Sequence, residues 1–175
     1  GGVAMYKIGD RVVYPMQGAG TIVDKEMKEL LGMEREFFIL QMPISNIRIS
    51  IPVDQMEKIG IRPVMSREDG LKVMEILRQD STKMSDNWSQ RYRENLENLK
   101  TGDPFEMADI VRNLQIRDME KGLSTSEKKM LGKTKKMLIS ELIIVGSLSV
   151  EEARDMIDEA ITLDENEAPE GGEEE

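Results

Sequence analysis

The segment Asn87-Trp88-Ser89-Gln90-Arg91-Tyr92-Arg93 sets the one tryptophan of a 175-residue chain among polar neighbours and two arginines. Two chemistries fit it. An exposed indole beside cations can enter a base step of a duplex, unstack it and hold it distorted, with Arg91 and Arg93 on the phosphates. Alternatively, the ring packs inward at a helix start against Tyr92, four residues on. A second set of charges lies further along, where residues 121–136 hold six lysines (121, 128, 129, 133, 135 and 136) against Glu127 alone. On a helix, Lys128, Lys129, Lys133 and Lys136 bring their heads to one side. Met130, Leu131, Met137 and Leu138 are then free to pack inward. Such a face suits salt-sensitive, sequence-blind contact with phosphates, or simply water. Nothing in the segment resembles a helix carrying a base-reading code.

The residue types that are missing narrow the field. The chain has no histidine and no cysteine, which removes thiol nucleophiles, imidazole bases, disulfides and the usual zinc ligand sets. No G-x-x-x-x-G-K-S/T phosphate loop is present. The expectation is a non-enzyme with no cofactor, no metal and no small-molecule substrate. A carboxylate-dependent enzyme would need clustered acids, and no spacing demands them.

The net charge of −10 argues against nucleic acid only until its distribution is seen. Residues 164–175 carry seven acids and no base, residues 150–163 a net −4, and the remaining 149 residues therefore about +1. Screening confines surface fields to roughly 8–10 Å, so a local basic face outweighs a remote acidic tail. The longest apolar run, residues 137–148, is broken by Glu141 and Gly146 and falls short of the ~20 residues a membrane span needs. The N-terminus shows no secretory signal, and Gly-Gly-Val-Ala before Met5 reads as a cloning remnant. A cytoplasmic protein without a membrane partner is expected.

Two kinds of element must position these groups. Residues 6–62 read as four or five short strands: Arg11–Pro15, Ala19–Val23, Glu36–Met42 and Ile47–Pro52 are rich in β-branched or aromatic residues and bounded by glycine or proline. Ile47, Ile49 and Ile51 alternate with Arg48 and Ser50. Residues 25–36 read as a charged loop with Leu30 and Leu31 embedded and Gly32 at its tip, or as a hairpin tip with ordinary core leucines. From Ser66 the period turns helical. Ser66/Asp69, Asp103-Pro104, Ser124/Glu127 and Ser149/Glu152 mark helix starts, and Gly102, Gly122 and Gly146 mark stops. Five helices are expected near 66–79, 88–101, 104–121, 125–146 and 150–163. The fold class is α+β: a β module over 5–62, an all-α domain over 66–163, and a disordered acidic tail over 164–175.

Several of these motifs together resemble a known family. Ile8-Gly9-Asp10-Arg11-Val12-Val13-Tyr14-Pro15, followed by Gly18-Ala19-Gly20, resembles the opening of the CarD/CdnL transcription regulators, a module also found in the bacterial transcription-repair coupling factor. Asn87-Trp88-Ser89-Gln90-Arg91-Tyr92, Gly122-Leu123-Ser124 and Glu127-Lys128-Lys129-Met130-Leu131 resemble the helical CarD/CdnL domain, which the coupling factor lacks. The similarity spans about residues 5–160.

The resemblance implies a Tudor/SH3-like N-terminal domain that binds the β subunit of bacterial RNA polymerase. It also implies a helical domain at the upstream edge of the promoter bubble, with Trp88 as a minor-groove wedge favouring the open complex. Arg91, Arg93 and Lys128 match basic family positions facing DNA, Asn87 belongs to the wedge motif, and Lys129 extends the lysine face. Lys28 matches a basic position facing polymerase, near Leu30. Ser50 stands where some relatives carry arginine, with Arg48 as a nearby substitute, and Gln90 replaces a basic residue. A monomer on polymerase is expected. The rival is a protein–protein adaptor that binds polymerase or a repair factor without touching DNA.

Overall fold

A computed structural model of the chain describes residues 5–162. Strands β1 (Arg11–Tyr14), β2 (Gly18–Leu30), β3 (Met33–Gln41), β4 (Arg48–Pro52) and β5 (Arg62–Pro63) form one antiparallel sheet in the order β4-β3-β2-β1-β5. Val12, Ile22, Phe38, Leu40 and Ile51 pack together on one side of it. Gly20 is required there: a Cβ would lie 2.6 Å from the Gln41 carbonyl oxygen. Ile51 is in this core and Ile49 half-buried, but Ile47 precedes β4 and is exposed. The isoleucine alternation therefore runs one residue shorter than its pattern suggests.

Of the two readings of residues 25–36, the hairpin is the one adopted, as a long arm whose leucines lie outside the core. The β2–β3 ladder continues through Lys28↔Arg35 to Leu30↔Met33. Leu31 (φ 54°) and Gly32 (φ 77°) turn it with two left-handed residues, the pairing that matches strand twist in a two-residue hairpin. Charged residues mislead here because both faces of the arm reach beyond the core, so no apolar alternation marks it as strand.

The helical half holds the five expected helices: α2 (Arg67–Arg78), α3 (Trp88–Lys100), α4 (Pro104–Glu120), α5 (Thr125–Gly146) and α6 (Val150–Ala160). A short α1 (Met56–Ile59) inside the β module escapes the periodicity. The starts follow their caps: Ser66 accepts from the Asp69 amide, Asp103 from Phe105, and Ser124 and Ser149 form full capping boxes with Glu127 and Glu152. Gly146 does not stop α5; it is its last residue, and Ser147 takes the left-handed turn (φ 51°). α6 ends at Ala160, and the acidic tail lies outside the described residues.

α5 joins the halves. Ser140 Oγ accepts from the buried Ala19 amide at 2.9 Å. Glu141, 1 % exposed, receives both arms of Arg62 from β5 at 2.8 Å and the Met65 amide at 2.7 Å. Met16, in the turn between β1 and β2, packs against the helical core. Because a buried donor left unmade costs about 1–3 kcal/mol, Ser140→Ala should lower the melting free energy by that amount. An unchanged melting curve would mean that the Ala19 amide finds another acceptor.

Candidate nucleic-acid interface

Asn87 caps α3: its Oδ1 accepts from the Ser89 amide (3.1 Å), the Gln90 amide (3.2 Å) and the Ser89 hydroxyl (2.9 Å). This cap sets the first helical residue, Trp88, at the end of the helix rather than against a neighbour. Its side chain is 54 % exposed, while Tyr92, one turn on, packs against the helical core. The inward-packing alternative is not what the chain adopts.

Arg91 corrects the sequence expectation. Its motif groups it with the phosphate-facing cations, yet it is 3 % exposed and bound to Glu127, which is 0 % exposed. The pair is bidentate, Nε to Oε2 and Nη2 to Oε1, both 2.7 Å. Nη1 donates to the carbonyl oxygen of Ser85 at 2.9 Å. The Ser124 hydroxyl donates to Glu127 Oε1 at 2.9 Å and the Ser124 amide to the same oxygen at 3.4 Å, so the same carboxylate closes the α5 capping box. A guanidinium so fully engaged has no edge left for phosphate. Burial works to raise the Glu127 pKa, but the hydrogen bonds from Arg91 and Ser124 outweigh it and hold the carboxyl below its usual range. The bond to Glu127, against the cost of burial, holds Arg91 above the ordinary arginine value.

The pair ties two helix starts side by side. Trp88 lies one turn before Arg91, and Lys128 and Lys129 follow Glu127. Both lysines are exposed, as are Lys133, Lys136 and Arg93. Lys135 turns aside to Asp158 and Gln115. Gln90, read as replacing a basic residue of the family, donates to Glu94 at 3.0 Å. The two N-termini add their own positive ends to this edge of the molecule. Sequence reasoning read Glu127 as a helix-start residue and as the one acid among six lysines. Its capping-box position was legible, but not the arginine it would bury.

The residues expected to face a protein partner also converge. Alternation and register set Lys28, Leu30, Arg48 and Ser50 on one side of the sheet. Lys28 Nζ donates to Ser50 Oγ at 3.0 Å, and Arg48 Nε to Gln41 Oε1 at 2.8 Å. The sequence reading missed Phe37 and Arg35 on the same side: the Phe37 ring lies 5.1 Å below Lys28 Nζ and 5.8 Å from the Arg35 guanidinium. At the tip, Leu30, Leu31 and Met33 are exposed, Leu31 at 96 %. Among the described residues no helix is long and apolar enough to cross a membrane.

Two family models match the chain in tandem: the CarD-like/TRCF RID domain over residues 6–65 and the CarD C-terminal domain over residues 72–158. YdeB of Bacillus subtilis (strain 168), named as a transcription factor, is 38% identical over 145 residues, which is 83% of this chain and 95% of YdeB. The solution NMR structure of the 72-residue N-terminal domain of Myxococcus xanthus CarD is 27% identical, covering 36% of this chain and 84% of that one with a TM-score of 0.30.

Proposed function

Because this chain belongs to the CarD family of transcription factors, we propose that it binds the β subunit of bacterial RNA polymerase and the upstream edge of the promoter bubble, and thereby stabilises the open complex. The single observation that carries this reading is the exposed Trp88 ring on a rigidly anchored helix start. Asn87 sets that start, Arg93, Lys128 and Lys129 meet the backbone, and Arg91 serves as scaffold rather than contact. The sheet side bearing Lys28, Leu30, Arg48 and Ser50 docks on polymerase, where Phe37 and Arg35 join it. The protein acts as a monomer in the cytoplasm, without cofactor or catalysis.

The energetics require little of each contact. A factor that binds open DNA better than closed shifts the equilibrium by that difference alone. Aromatic stacking on a base contributes roughly 1–3 kcal/mol, and about 1.4 kcal/mol is already tenfold. Tethering on polymerase supplies the wedge at high effective concentration. Contacts to phosphate and an unstacked step carry little base information, so the effect is largely independent of promoter sequence.

Open-complex lifetime on a promoter with purified polymerase tests this. Wild-type protein should lengthen it, and Trp88→Ala, first verified as folded by melting, should lose about tenfold of that effect at unchanged affinity for polymerase. Equal action by both proteins would favour the adaptor without DNA contact.

A further inference from the structure

Among the described residues one buried side-chain nitrogen or oxygen has no partner, Nε of Arg117. The Arg117 side chain as a whole is half-buried, whereas the two fully buried arginines are served throughout. Arg91 holds Glu127 and Ser85, and Arg112 donates to the Ile76 carbonyl oxygen at 2.7 Å and Asp109 at 2.7 Å. Folded proteins rarely leave such a donor unmade unless water, an ion or a ligand supplies the acceptor.

Arg117 lines a cleft of about 200 Å³ with Lys83 and Lys121, and with the carboxylates Asp86 and Glu120. None of the five forms an ion pair among the described residues. The wall that carries Lys83 is held at two points. Asn113 fixes Thr82 through its amide (3.0 Å) and hydroxyl (2.8 Å), and Arg91 fixes Ser85. The Lys83 wall runs directly into Asn87 and Trp88; the Lys121 wall runs into the Ser124 cap and Lys128.

We propose that this cleft takes one phosphate of the nucleic-acid backbone beside the base step that Trp88 engages, with Arg117, Lys83 and Lys121 as donors. The proposal rests on the DNA-facing reading of Trp88 and adds a contact that reading does not contain. Three cations against two carboxylates leave a single net positive charge, which matches the one negative charge of a phosphodiester. A free phosphate or phosphomonoester approaches two negative charges and is the poorer fit. The guanidinium offers the fork that paired phosphate oxygens accept.

The test is binding of a forked DNA duplex to the full chain at several salt concentrations, followed by fluorescence and by backbone-amide NMR. Lys83→Gln with Lys121→Gln alters two exposed side chains and should leave melting unchanged. It should weaken binding several-fold and lower the slope of log affinity against log salt by about 0.9, the share of one phosphate. Arg117→Met should act the same way, and Asp86→Asn with Glu120→Gln should act in the opposite sense. Unchanged affinity and slope in the lysine pair, while Lys128→Gln weakens binding, overturns the cleft and leaves the DNA-facing reading standing. If Trp88→Ala and Lys128→Gln also change nothing, both readings fall together. Inorganic phosphate shifting the amides of residues 81–86 at concentrations where the duplex does not would make this a free-phosphate site and overturn the backbone assignment.

Discussion

Glu127→Ala should destabilise the fold by about 3–5 kcal/mol, because it strands the buried Arg91 guanidinium without its counter-charge. Chemical denaturation would measure it as a lower midpoint at unchanged slope. A loss below 1 kcal/mol would mean that water reaches Arg91. The effect should extend to Trp88, because the same guanidinium holds the Ser85 carbonyl in the approach to the ring. Stability and positioning can be separated. Replacing both partners, Arg91→Met with Glu127→Leu, removes the two buried charges together and should be near neutral or stabilising. The Ser85 anchor is lost all the same, so tryptophan anisotropy should fall in a protein that melts as wild type. Arg91→Lys offers only a point charge and should recover little of it.

The same pair sets an acid limit. The Glu127 carboxyl sits below its ordinary value of 4.5 in the folded protein. A group depressed on folding contributes its stability above the unfolded pKa and loses it as pH falls through the folded one. Wild-type stability should therefore hold above about pH 4.5 and decline below it. Glu127→Gln should flatten that part of the curve, and an identical acid limb in the variant would assign the decline to other carboxylates.

Glu141→Ala should be comparably severe, for a different reason. It removes the acceptor of both Arg62 arms and of the buried Met65 amide, which joins the sheet to α5. Arg62 keeps its bond to the Gly102 carbonyl oxygen and is a quarter exposed, so the loss should be about 2–4 kcal/mol, at the lower side of the buried-pair range. The distinguishing readout is what uncouples. The two halves keep separate hydrophobic clusters, so hydrogen exchange should rise first at Arg62–Met65 and Ala19 while the helical core stays protected. Uniform loss of protection would instead mean one cooperative unit.

How much of this was legible beforehand divides by range. The helix starts were legible because a cap is a contact over three residues: Ser66 with Asp69, Ser124 with Glu127, Ser149 with Glu152. Inward-facing Met130, Met137 and Leu138 and outward-facing Lys128, Lys133 and Lys136 follow from helical period alone, and the strand core from alternation. The polar surroundings of Trp88 left its ring open between packing inward and facing out, and only the family resemblance favoured exposure. The fate of Arg91 was not legible. Its partner is 36 residues away, and an arginine in a polar stretch looks the same whether it faces water or a buried carboxylate. Glu141 was read as a break in an apolar run, yet its arginine is 79 residues back on an edge strand. The arm tip and the place of Phe37 under Lys28 depended on strand register, which pairs residues by geometry rather than by type. Local hydrogen bonding and periodicity thus determined which elements form and which sides they bury. Only the packing of α3 and β5 against α5 decided which charges are structural and which remain free to meet a partner, because a charge buries only where its counter-charge arrives with it.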